Sequence, residues 1–235
     1  MNLADLMKLK DWIYPEATEI DTIRDLKIIQ NYLPEKGIIL DAGGGIGRIA
    51  IELARLGYKV VLLDISRTAL EFARREAEKQ NVLEMIEFVE GDVCDLKFGD
   101  NTFDLVLALR DVINYSLDAR KAVKELIRVL KENCYLIASF ANKVFWLTKN
   151  FEVEKIERLI ATEKMLTQRQ LKDLFSDIEI EKIVGSGYCS GNIPIEYLIG
   201  NKERFIEIED VIGDDQELML ACEYLVLIGK KVRRC

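Results

Sequence analysis

Apolar residues in this chain come in short blocks whose spacing alternates between strand-like and helix-like. Gly37-Ile38-Ile39-Leu40-Asp41-Ala42 is an apolar strand that runs into a cluster of glycines. Beyond it Ile46, Ile49, Ala50, Leu53 and Leu56 recur at helical spacing, with Arg48, Glu52 and Arg55 on the opposite face and Gly57 placed to end the helix. Val60-Val61-Leu62-Leu63 is apolar on both faces, as a central parallel strand covered by helices should be. Ser66 is placed to N-cap a helix running to about Asn81. Ile86–Val89 and Phe103–Leu109 read as third and fourth strands, Ala119–Leu130 as a helix, and Tyr135–Phe140 as a fifth strand. Such repetition predicts an open α/β sheet with right-handed crossovers.

After Phe140 the pattern loosens. Residues 141–166 read as a helical insertion carrying Phe145, Trp146 and Phe151, and Thr167 as the cap of a short helix over Gln168–Ser176. Ile178–Val184 is a sixth strand, residues 191–219 mix loop and acidic helix, and Ala221–Ile228 is the last strand. No clean helical crossover separates these two strands, so an antiparallel return is expected. The expected organisation is one domain over 1–235. It comprises a helical extension or lid over 1–35, a ligand-binding half over 36–140, and a substrate-side half over 141–235.

Composition narrows the function. With 49% apolar residues in 235, the chain can bury a full core without disulfides or a structural metal. Five cysteines without a C-x-x-C pattern point to a reduced, cytoplasmic protein with no thiolate metal site. No apolar run approaches the ~20 residues of a membrane span, and the opening MNLADLMKLKDW lacks the apolar centre of a secretory signal. The absence of histidine removes Ser/His and Cys/His hydrolases and the commonest metal ligand, so no metal is expected. A net charge of −8 opposes broad nucleic-acid binding. The basic cluster Lys230, Lys231, Arg233 and Arg234 reads as a solvated terminus.

The chemistry-bearing segment is Asp41-Ala42-Gly43-Gly44-Gly45-Ile46-Gly47. Glycines between a strand and a helix let the backbone approach a ligand at the carboxyl end of the sheet. A dinucleotide fingerprint would need a third small residue where Arg48 stands. Asp64 ends the second strand, 21 residues after Gly43, where a carboxylate can accept ribose hydroxyls, and Asp92 follows Gly91 after the third. Three acids at successive strand ends favour a ligand that carries positive charge.

These residues resemble the class I, Rossmann-like S-adenosylmethionine-dependent methyltransferases, from about Ile38 to Phe140 and more loosely to Val232. The resemblance implies a three-layer fold around a seven-stranded, mostly parallel sheet. It also implies S-adenosylmethionine as cofactor and S-adenosylhomocysteine as product. Asp41, Gly43, Gly44, Gly45 and Gly47 would wrap the methionyl part. Asp64 would hold the ribose with Ile65 against the adenine, Asp92 and Val93 would read the adenine edge, and Leu109 would border the methyl group. The pattern is nearest to small-molecule enzymes such as those of quinone biosynthesis, with two departures: Asn114-Tyr115 where a histidine pair is frequent, and Asn133-Cys134 where a glycine pair is usual.

The acceptor is therefore expected to be a small molecule, apolar or aromatic. Trp12, Tyr14, Phe145, Trp146, Leu147 and Phe151 are candidates for a lid over it, although residues at helical spacing are more often core packing. Asp111, Glu196, Tyr14, Tyr115 and Tyr188 are candidate bases, and none of them is assigned a catalytic role. A non-catalytic cofactor-binding module or partner subunit, a nicotinamide oxidoreductase and an RNA methyltransferase stand as alternatives.

Overall fold

The structure is a computed structural model that describes residues 15–149, 152–162, 165–198 and 201–232. Its seven strands are β1 (Ile38–Ala42), β2 (Lys59–Asp64), β3 (Ile86–Glu90), β4 (Phe103–Ala108), β5 (Leu130–Ala141), β6 (Glu179–Ser186) and β7 (Tyr224–Lys230). They form one sheet in the order β3-β2-β1-β4-β5-β7-β6. The pairs from β3 through to β5 are parallel, and β7 runs antiparallel to both β5 and β6. The expected antiparallel return is present, and it inserts β7 inside the sheet so that β6 becomes the edge.

Side chains alternate across the strands, which divides the core into two layers. On one face Leu40, Leu63, Val106 and Leu136 pack on α5 (Ala119–Val129) through Val123, Leu126 and Val129. On the other, Ile39, Leu62, Leu105 and Ile137 meet α2 (Arg48–Arg55), α3 (Arg67–Lys79) and, through Ile28 and Ile29, α1 (Pro15–Gln30). Each fully buried side chain of this kind contributes about 1.5–3 kcal/mol relative to exposure. The N-terminal helix therefore belongs to a core layer and is more than a cover.

Local chemistry sets the element ends. Ser66 Oγ accepts from Ala69 N–H at 3.3 Å to start α3. Thr167 and Gln170 form a reciprocal capping box on α8 (Gln168–Leu174). β5 begins five residues earlier than the apolar run predicted, because Asn133 takes a left-handed conformation (φ +63°) and its N–H donates to the Lys231 carbonyl at 2.6 Å. Asparagine tolerates that conformation, so it does here what a glycine would do. Lys231 is not a solvated tail residue: its Nζ donates to the carbonyls of Ile127, Arg128 and Leu130 and closes the end of α5. Among the described residues no helix is long and apolar enough to cross a membrane.

The insertion holds α6 (Lys143–Thr148) and α7 (Val153–Ala161). Phe145, whose helical spacing suits core packing as well as a lid, is only 3% exposed and packs edge-on against Trp146. Buried Lys143 caps the end of α7 through the carbonyls of Ile160 and Thr162. Trp12, Tyr14 and Phe151 lie outside the described residues.

Candidate functional site

The strand order reverses between β1 and β4, and in open α/β sheets the crevice at such a point is where ligands bind. The loop of residues 43–47 leaves β1 there. Gly43 N–H donates to the Leu63 carbonyl at 2.6 Å, which ties the loop to the end of β2. Gly43 has φ +71°, and a Cβ on it would stand 2.5 Å from Val112, which opens the short helix Val112–Tyr115 after β4. A Cβ on Gly44 would come within 2.3 Å of Leu62 Cδ1 and 2.4 Å of Asp41 Oδ2. Close packing inside the protein therefore requires these two glycines, beyond any ligand that the loop could hold.

Asp64, at the tip of β2, accepts Gly45 N–H on Oδ2 at 2.9 Å and Ser66 N–H on Oδ1 at 2.8 Å. It thus ties the glycine loop to the start of α3, and a carboxylate engaged this way keeps lone pairs for further donors. Burial raises its pKa, while the Ser66 and Gly45 amides pull it down. The Asp64 carbonyl accepts Gly91 N–H at 3.1 Å, which brings the tip of β3 alongside. Asp92 stands next, its Oδ1 accepting Cys94 N–H at 2.8 Å. Val93 packs partly buried on the core, Leu109 is buried at the tip of β4, and Ile65 is left 73% exposed beside Asp64.

Asp41 lies beneath Gly44 and is 2% exposed. Its Oδ2 has no hydrogen-bond partner among the described residues. Burial pushes its carboxyl up to about 7, against the pull of Arg48 and with Asp64 and Asp25 adding to the rise. A buried, unpartnered carboxylate oxygen under a strand-tip loop suits a cationic group. The expected cofactor's methionyl ammonium is such a group, so the residues present fit it. Hydrogen bonds and close packing thus bring Asp41, the glycine loop, Asp64 and Gly91, which precedes Asp92, together at the tips of β1, β2 and β3. A cavity of about 300 Å³ lined by Arg24, Tyr32 and Asp214, and one of about 560 Å³ beside α8 and β6, are lined by none of these residues.

On the far side of the crevice the loop after β4 carries Arg110 (φ +59°) and Asp111 (φ +68°), consecutive residues in left-handed backbone. Arg110 reaches from this loop to the N-terminal helix. Its guanidinium binds Asp25 of α1 at 3.0 Å and lies over the Tyr224 ring at 4.6 Å. Asp111 Oδ2 instead accepts the Tyr224 hydroxyl at 3.1 Å. Of the other candidate bases, Tyr115 and Glu196 are exposed, Tyr188 is half-buried, and Tyr14 is outside the described residues.

Sequence reading missed Asp25, Tyr224 and Ser186, all near this loop. Their partners lie 76 to 161 residues away along the chain, except Arg48 at 23, so no local pattern marks them. The acidic helix also takes part in holding the fold. On α11 (Lys202–Asp214) Glu209 is buried and accepts the N–H groups of Gly187, Tyr188 and Cys189 at 2.6, 3.0 and 2.7 Å. Asp210 and Asp214 of the same helix pair with Arg24 of α1.

Residues 40–138 match a family model described as a methyltransferase domain. The chain is 40% identical over 96 residues to a demethylmenaquinone methyltransferase of Clavibacter sepedonicus, covering 40% of this chain and 36% of that one. It is 31% identical over 117 residues to a tRNA 5-carboxymethoxyuridine methyltransferase of Escherichia coli K12, covering 49% and 44%. Its matches thus span less than half the length of these curated relatives. A solved S-adenosylmethionine-dependent methyltransferase of Thermotoga maritima shares the fold over 97% of this chain and 96% of its own, with a TM-score of 0.65 at 20% identity.

Proposed function

We propose that this chain is an S-adenosylmethionine-dependent methyltransferase that carries a methyl group, in line, to a small-molecule acceptor. The observation that supports the reading is that the tips of β1, β2 and β3 are tied together. Gly45 N–H binds Asp64 Oδ2, Gly91 N–H binds the Asp64 carbonyl, and the unpartnered Asp41 oxygen lies beneath the same loop. When bound, the cofactor supplies an electrophilic methyl on a positively charged sulfur.

The chain's own residues then hold and orient. Asp41 faces the methionyl ammonium, and Gly43, Gly44, Gly45 and Gly47 form the bend around that part. Asp64 accepts from the ribose with its remaining lone pairs, Ile65 covers the adenine, and Asp92 with the Val93 amide meets the adenine edge. Leu109 closes the wall near the methyl. Holding nucleophile, methyl and sulfur collinear and dry is the main contribution to rate. Asp41 acts in positioning, because a carboxylate drawn close to the sulfur would stabilise the charged ground state.

The acceptor enters beside the tip of β4, from the half formed by residues 141–235, where β6 ends and β7 begins. The quinone-methylating relative and the net charge of −8 support a small, apolar or aromatic acceptor over a polyanion. The tRNA-methylating relative matches 49% of this chain and 44% of its own length, so RNA is kept as an arm of the test below. The free, buried thiols of Cys94, Cys189 and Cys222 support a reducing, cytoplasmic setting.

Calorimetric titration tests the cofactor, and S-adenosylhomocysteine release tests the reaction. Binding of S-adenosylhomocysteine without binding of NAD is expected, followed by turnover with quinol, phenol or amine acceptors. Tighter binding of NAD, or turnover with RNA alone, would overturn the reading.

A further inference from the structure

Three segments far apart in sequence converge on Asp25 of α1. Its carboxylate accepts from Arg48 Nη2 at 2.8 Å, from Arg110 Nη2 at 3.0 Å and Nε at 3.2 Å, and from the Ser186 hydroxyl at 3.1 Å. Arg48 opens α2 directly after Gly47 and is held further by Thr22 Oγ1 at 2.9 Å. Arg110 stands at the β4 tip, its own N–H on Ser139 Oγ at 2.5 Å. Ser186 ends β6. One carboxylate on the N-terminal helix therefore joins the loop that would hold the cofactor to the loop that would face the acceptor.

The join is dry: Asp25 is 2% exposed. In such surroundings two guanidinium groups at one point repel strongly unless a carboxylate lies between them. Burial alone would raise the Asp25 pKa, yet Arg110 and Arg48 outweigh it and keep the group ionised. Two consecutive non-glycine residues in left-handed backbone, Arg110 and Asp111, hold that strain only while their surroundings fix them.

We propose that Asp25 is a positioning residue, which sets the glycine loop against the β4 tip so that cofactor binding and docking of α1 strengthen each other. The inference rests on the function proposed above. Coupling of this kind is reciprocal: what α1 does for the cofactor, the cofactor does for α1. Asp25 itself touches neither reactant, and it acts through Arg48 and Arg110.

The test titrates S-adenosylhomocysteine calorimetrically into the full chain, the wild type beside Asp25→Asn, Arg110→Met and the double variant, with near-ultraviolet circular dichroism confirming native packing. Asp25→Asn is expected to weaken binding by roughly tenfold, and the double variant by less than the product of the two single effects. A purely structural role would lower the melting temperature and leave the dissociation constant within about twofold, and that result overturns the proposal. Should Asp25→Asn not fold, amide exchange on the wild type decides. Slower exchange across residues 15–30 when S-adenosylhomocysteine is added supports the proposal, and protection confined to 43–47, 64–66 and 91–93 overturns it. Wild-type protein that binds no S-adenosylhomocysteine overturns the functional reading itself, a result distinct from an unaffected Asp25→Asn.

Discussion

The Asp64 carboxylate accepts the backbone N–H of Gly45 at 2.9 Å, so the acid placed to hold a ribose also fixes the bend around the methionyl end. Removing it acts twice. Asp64→Ala is expected to weaken S-adenosylhomocysteine by about 1.5–3 kcal/mol, the range for hydrogen bonds to a charged group. Calorimetry checks this, and an unchanged dissociation constant would take Asp64 out of the site.

Asp41 gives a pH signature. Its carboxyl ionises near 3.8 in the unfolded chain and near about 7 when buried. Between these values the folded state binds more protons, so this group's contribution to stability falls as pH rises. The loss is on the order of 4 kcal/mol once pH passes the upper value. An ammonium seated on the ionised carboxylate offsets that cost. Binding of S-adenosylhomocysteine should therefore strengthen between about pH 5 and 7 and release a proton, as read from titrations in buffers of different ionisation enthalpy. Affinity independent of pH across this window would separate Asp41 from the ammonium.

Gly44→Ala tests the packing reason for the glycines. Its Cβ would press on Leu62 Cδ1 at 2.3 Å and on the Asp41 carboxylate at 2.4 Å. The expected loss is about 1–3 kcal/mol in chemical denaturation, the usual cost of overpacking. Wild-type stability would show that the loop yields.

Tyr224 is held protonated well above the ordinary phenol range, by burial first and then by Glu223 and Asp111. It therefore donates to Asp111 at every working pH. Tyr224→Phe should cost about 0.5–1.5 kcal/mol of stability and lower the rate of S-adenosylhomocysteine formation more than it weakens cofactor binding. Unchanged turnover would make the Tyr224–Asp111 pair purely structural.

Glu209→Gln replaces one of two accepting oxygens by a donor, opposite the three N–H groups the carboxylate serves. One buried amide is then left unsatisfied, and thermal or denaturant unfolding should show about 1–3 kcal/mol of destabilisation. No loss would mean that water reaches those amides.

What could be read from the sequence was local. Val60–Leu63 declared a strand covered on both faces, Ser66 and Thr167 declared helix starts, and the bend after Asp41 declared a site at the carboxyl end of the sheet, because period and capping depend on neighbours along the chain. Errors arose where distant residues intervene. β5 starts early because Asn133 and Lys231 pair across strands, and Lys231 leaves solvent because the end of α5 offers it three carbonyls.

The sequence by itself therefore determined the α/β alternation, the glycine bend and the acids at three strand ends. Tertiary structure alone decided that β7 slips between β5 and β6, that Arg110 reaches Asp25, and that Tyr224 meets Asp111. Hydrophobic period is written residue by residue, whereas the partner of a buried charge is chosen by whichever segment the folded core brings within about 3 Å of it.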